Sequence, residues 1–137
     1  MGSMSNWLEN EVLDHIAGSS FSVSSDLWLA LFTSMPTDSS GSGTECSGTG
    51  YERKKFSNST TTWGTASAGA ITTVAAIEFA QAGASGWGTI VGWAMFDSST
   101  TTGANHMYYW GSLTTSKAVN SGDTARFAAG DIDITLT

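Results

Sequence analysis

The residues able to carry chemistry are few and scattered. His15 and His106 are the only histidines, and a serine nucleophile would need one of them as its base. Serine is so abundant that such a match means little, and no Gly-x-Ser-x-Gly elbow occurs. Glu45 and Glu52 flank a Gly/Ser/Thr loop and are of the type used for paired acid–base work, although loop carboxylates are usually just solvated. Asp131 and Asp133 alternate on one strand and share a face, where they could touch a cation, but no EF-hand spacing accompanies them. No Gly-Lys-Ser/Thr phosphate cradle is present. The expectation is a chain without catalytic residues, without a metal site and without a cofactor.

Three further features concern binding. Cys46 is the only cysteine, so no internal disulfide forms; in its Gly/Ser/Thr loop it reads as an ordinary thiol. Six tryptophans (Trp7, Trp28, Trp63, Trp87, Trp93 and Trp110) could build a sugar-stacking platform. They sit mostly inside apolar strand runs, which favours core or subunit packing. Arg53-Lys54-Lys55 reads as a partner-docking patch or a solvated strand face.

The elements that would position these groups centre on Gly86–Asp97, GWGTIVGWAMFD. As a strand it places Trp87, Thr89, Val91, Trp93 and Met95 on one face, and Gly88, Ile90, Gly92, Ala94 and Phe96 on the other. Both faces are apolar, so both must be covered, as in a central strand of a packed sheet. Leu27–Thr33, LWLALFT, is a second buried strand ended by Pro36. Asp38–Gly50 is a flexible loop by composition, with Gly41, Gly43, Gly48 and Gly50 among Ser and Thr. Tyr51–Phe56, YERKKF, is a short strand with an exposed charged middle. Ala70–Phe79 alternates as one or two strands, with a helical reading open over Ala75–Ala84. His106–Leu113 pairs with the central strand as an antiparallel hairpin. Asn120-Ser121-Gly122-Asp123 is a turn. Ile132, Ile134 and Leu136 alternate with acids and Thr in a last half-buried strand.

One helix is expected over about 6–17. Asn6 can cap it, with Glu9 three residues on. Trp7, Leu8, Val12, Leu13 and Ile16 form its apolar stripe, and Gly18 stops it. So short a helix must dock its stripe on its own sheet or on a neighbouring subunit. The whole predicts an all-β fold, an antiparallel β-sandwich of jelly-roll type with one short N-terminal helix, in a single domain over 4–137. Met1-Gly2-Ser3 before Met4 reads as an expression scar, set aside from the fold.

Composition narrows the partners. Only 12% of the 137 residues are charged, against about 25% in an average domain. The net charge is −7 with five basic residues, which argues against nucleic acid and against an anionic membrane surface. No apolar run approaches the ~20 residues of a membrane helix. The first twenty residues carry acids and no basic stretch, so no signal peptide is expected.

The order SNWLENEVLDHIAG, LWLALFTSMPTD, GTECSGTGYERK, TWGTASAGAI, SGWGTIVGWAMFD and WGSLTTSKAVNSGDTARFAAGDIDITLT spans nearly all of Ser5–Thr137. It resembles a family of small virion proteins of tailed bacteriophages, whose members are labelled tail fibre or head-decorating proteins. The resemblance implies a structural protein of the particle, not an enzyme. A fibre shaft needs a repeat or coiled coil, and neither is visible. A compact domain suits capping a shell, where each contact stabilises the assembled state. The leading expectation is therefore a capsid decoration (cement) protein bound to the major capsid protein lattice. It would be localised in the virion and assembled in the host cytoplasm. Its role suggests association with copies of itself in a closed ring such as a trimer. The alternative is a tail fibre or tail-tip module that binds host-surface carbohydrate. The candidate contact residues are Trp7, Leu8, Val12 and Ile16 on the helix, and Glu45, Tyr51, Arg53, Lys54 and Lys55 around the loop.

Overall fold

The structure, a computed structural model, describes residues 1–39 and 42–136. The chain is an all-β sandwich with one N-terminal helix. Strand β1 (Gly2–Met4) leads into helix α1 (Asn6–Ile16), followed by β2 (Asp26–Ser34), β3 (Thr44–Glu45) and β4 (Lys54–Ser57). Then come β5 (Ala70–Thr72), β6 (Ile77–Gln81), β7 (Gly88–Phe96), β8 (Met107–Val119), β9 (Thr124–Phe127) and β10 (Asp133–Thr135). A large sheet runs β3-β2-β7-β8-β1-β10-β5, with β4 also paired to β2; β6 and β9 form a second, two-stranded sheet. All pairings are antiparallel except β1 with β10, where Gly2 faces Ile134 in parallel.

Central strand β7 is buried on both faces, as its sequence requires. Trp93 and Met95 join Leu27, Leu29 and Leu31 of β2 in the main core, which is closed by Ile77 and Phe79 of β6. Ala94 and Phe96 join Ala30, Phe32 and Met107 in a smaller core on the opposite face, with the Phe32 and Phe96 rings stacked at 6.4 Å. Strict alternation fails at one place. Ile90 lies in the main core with Trp93 instead of on the face of Gly92 and Ala94. The β7–β8 register breaks between Ile90 and Gly92, opposite Lys117 and Ser112, and such a bulge moves side chains to the other face.

The N-terminal segment departs from expectation in three ways. Residues 2–4 are not a tail outside the fold: Gly2, Ser3 and Met4 pair with Gly111, Trp110 and Tyr109. Ser5, not Asn6, caps the helix; its Oγ accepts from the Leu8 amide at 3.2 Å and donates to the Met107 carbonyl, anchoring the cap to β8. The apolar stripe docks only in part. Leu8 is buried, Val12 packs on the core, and Trp7 meets Phe21 and Tyr108 at centroid distances of 6.0 and 5.4 Å. Leu13 and Ile16 point outward, 63% and 77% exposed. Gly18, at φ +106°, ends the helix as expected.

Elsewhere, Ala70–Phe79 resolves into β5 and β6, which lie in different sheets, and Ala75–Ala84 contains no helix. Asp38–Gly50 holds the short strand β3; its Ser40 and Gly41 lie outside the described residues. In the last strand Ile132 and Ile134 are buried while Leu136 is exposed, and Thr137 lies outside the described residues.

Candidate functional site

The loop half of the predicted contact set converges; the helix half stays apart from it. Strands β2, β3 and β4 lie side by side, and Trp28 of β2 faces Lys55 of β4 directly across the pair. The loop that follows β7 closes over them. Together they enclose a cleft of about 600 Å³ lined by Trp28, Glu45, Tyr51, Glu52, Arg53, Lys55, Ser99 and Thr100. Lys54 is exposed on β4 and does not line it. Trp7, Leu8, Val12 and Ile16 belong to α1, which packs on β8 and β1.

Arg53 is the keystone of the cleft floor, which corrects the expectation of an exposed charged strand. Its side chain is only 3% exposed. Arg53 Nε donates to Glu45 Oε1 at 2.9 Å and Nη2 to Glu45 Oε2 at 2.7 Å. Nη1 donates to the carbonyls of Ser98 and Thr101 at 2.9 and 3.0 Å, and the guanidinium lies 4.1 Å from the Phe96 ring centroid. A buried cation must satisfy its donors or carry a large desolvation cost, and this one does so by tying β3 to the loop after β7. The Tyr51 hydroxyl completes the network, donating to Glu45 Oε1 at 2.9 Å and accepting from the Leu31 amide at 3.1 Å. Burial pushes the Tyr51 hydroxyl pKa upward, so it stays a neutral donor. Burial likewise pushes the Cys46 thiol up to about 12, which keeps it protonated and inert.

The cleft wall is wetter. Lys55 Nζ pairs with Asp26 Oδ2 at 3.0 Å and lies 5.6 Å from the centroid of the half-buried Trp28 ring. Glu52 is exposed at the rim and makes no hydrogen bond or ion pair with another described residue. Ser99 and Thr100 line the cleft without having been singled out in the sequence, and Trp28 was named there only among the six tryptophans of a possible sugar-stacking platform. Trp28 carries a signal in retrospect: it alternates out of the Leu27–Leu29–Leu31 set, so a strand must turn it to the other face.

The groups that could carry chemistry are engaged by separate partners. Glu45 is engaged by Arg53 and Tyr51, so it is not a free partner for Glu52. His106 Nδ1 lies 2.7 Å from Asp97 Oδ1 at the base of the hairpin loop, and His15 Nδ1 lies 3.1 Å from the Ser19 carbonyl; no described serine hydroxyl bonds either ring. Asp131 caps its own turn through the Ala128 amide at 2.6 Å, and Asp133 pairs with the N-terminal amine at 3.4 Å, so the two acids serve separate partners. Among the described residues no three His, Cys, Asp or Glu side chains gather in a metal-binding group. Among the described residues no helix is long and apolar enough to cross a membrane. Trp63, Trp87 and Trp93 are buried in the main core.

No curated protein matches the chain. A family model described as "Podophage GP4 fiber I protein gp80" matches residues 3–135, nearly the whole of it. The chain therefore belongs to the podophage fibre I protein family, a family of tailed-phage virion proteins.

Proposed function

We propose that this chain is a fibre module of a tailed-phage virion that binds host-surface carbohydrate, acting as a binding protein and not as an enzyme. The observation that carries this reading is the whole-chain match to a fibre family. The geometry supports it with a rigid β scaffold whose wet, aromatic-walled cleft has polar groups converging on it. A cleft on strands costs little to order on binding.

Capsid decoration, the leading expectation from sequence, stands behind the fibre reading because the family is one of fibre proteins. Attachment to the particle needs a second surface, and the exposed apolar pair Leu13 and Ile16 at the end of α1 suits contact with a virion partner or with another copy. Immunogold labelling of intact phage separates the readings. Gold on the tail with glycan binding by the isolated chain is the expected result; gold over the head would return the capsid lattice as partner.

A further inference from the structure

We infer that the Trp28 cleft is the saccharide site, and that it takes an uncharged sugar. The inference rests on the carbohydrate-binding reading above and adds the place and the ligand class. A pyranose offers two kinds of surface: a patch of ring C–H groups and a fringe of hydroxyls. The cleft offers the complement of both. Trp28 supplies the flat apolar wall, fixed by the β2–β4 and β2–β7 pairings on either side of it. Glu52 supplies a carboxylate free to accept from neighbouring hydroxyls, and Lys55, paired with Asp26, supplies an ammonium donor 5.6 Å over one face of the indole. Ser99 and Thr100 line the cleft from the loop, and their hydroxyls can donate or accept.

Charge decides which sugar. Arg53 is spent on Glu45 and the loop carbonyls, and Lys55 is paired with Asp26, so the unpaired charge lining the cleft is the Glu52 carboxylate. No unmatched cation is left to hold a carboxylate or sulfate, and the chain's net charge of −7 repels a polyanion at longer range. A volume of about 600 Å³ suits a short saccharide. Arg53 is a positioning residue here: by gripping the Ser98 and Thr101 carbonyls it holds Ser99 and Thr100 opposite the indole before any ligand arrives.

The test uses the full chain against a panel of neutral oligosaccharides (hexoses, 6-deoxyhexoses and N-acetylhexosamines) and acidic ones (uronic and sialic acids). Binding is read by tryptophan fluorescence and saturation-transfer NMR. A neutral saccharide is expected to bind, and Trp28→Ala or Glu52→Ala to weaken it by about tenfold, the equivalent of one lost stacking or charge-assisted contact. Trp28→Phe keeps an aromatic wall should Trp28→Ala fold poorly, and is expected to bind with intermediate affinity. Val74→Ser, at an exposed side chain that does not line the cleft, is expected to bind as the parent does. Neutral-sugar binding that survives both Trp28→Phe and Glu52→Ala unchanged overturns the site while leaving the carbohydrate reading intact. Binding confined to acidic sugars overturns the ligand class. Silence of the parent chain across the whole panel overturns this inference together with the carbohydrate reading.

Discussion

Arg53 and Glu45 meet fork to fork, through Nε–Oε1 at 2.9 Å and Nη2–Oε2 at 2.7 Å, with the arginine side chain almost fully enclosed. Such a pair is a poor measure of net stability, because both ions left water to form it. Breaking one side of it is nevertheless costly, since the other charge stays behind. Arg53→Ala is expected to cost about 3 kcal/mol and to release the Ser98–Thr101 loop. Denaturant unfolding gives the first quantity, and amide hydrogen exchange over the loop gives the second. Arg53→Lys keeps a charge but not the fork, and should recover less than half of the loss. A change below about 0.5 kcal/mol for Arg53→Ala would place this residue with ordinary surface side chains and sink the keystone role.

The exposed and buried halves of α1 should separate by mutation. Leu8→Ala removes a side chain that is 2% exposed and is expected to cost about 2–5 kcal/mol. Leu13→Ser and Ile16→Ser touch side chains more than half exposed and should leave stability within about 0.5 kcal/mol. If the helix end is an attachment surface, those two substitutions instead lower incorporation into phage particles. Chemical denaturation and particle composition measure the two effects separately.

Gly2 lies where a Cβ would come within 2.5 Å of Trp93 Cη2 and 2.7 Å of Ile134 Cδ1. Gly2→Val therefore forces the N-terminal strand off the sheet or displaces the core, for an expected loss of about 1–3 kcal/mol. Deletion of Met1–Gly18 removes β1, buried Ser5 and Leu8 together, and is expected to unfold the sandwich instead of leaving an intact β core. A truncated chain with unchanged near-ultraviolet circular dichroism would contradict this.

Stability should fall at alkaline pH. Burial raises Cys46 from 9.0 to about 12 and raises Tyr51, Tyr108 and Tyr109 from their ordinary value as well. For each of these groups the folded state holds a proton that the unfolded state gives up. Their contribution is thus fully present below about pH 9 and is lost as pH rises from there toward 12. Cys46→Ala should flatten the decline between pH 9 and 12 by one proton's worth of slope. The same burial predicts negligible alkylation of the folded protein at pH 8 and full alkylation in denaturant.

Much of the frame was legible from side-chain periodicity. A run apolar on both faces had to be central, and β7 is. Leu27–Thr33 and the closing strand followed from the same rule. What escaped depends on register and on distant partners. The displacement of Ile90 comes from a mismatch between two strands, which neither strand carries alone. Arg53 looks solvated among Lys54 and Lys55 because its carboxylate and carbonyl partners, at 45, 98 and 101, are remote or lie on backbone. Residues 2–4 carry almost no apolar signal; the edge of β8 and the absence of a side chain at Gly2 seat them. The candidate site was half legible: four of its eight lining residues stood in the predicted contact set and Trp28 and Glu52 were named for other roles, while Ser99 and Thr100 came only with the fold.

The position of β1 between β8 and β10 has a consequence for how the fold is reached. Gly2 pairs with Ile134, and the Ser5 amide reaches the carbonyl of Tyr108, so β1 joins β8 and β10 within one sheet. Loop-closure entropy for such pairs is met only after most of the chain is in place, which predicts high contact order and folding on the order of milliseconds to seconds. A nascent chain can pair β1 with β8 first, but the other edge of β1 stays open until β10 emerges from the ribosome. The assembly of particles would then draw on domains in which β10 is seated, because no intermediate without it has the sheet continuous from β3 to β5.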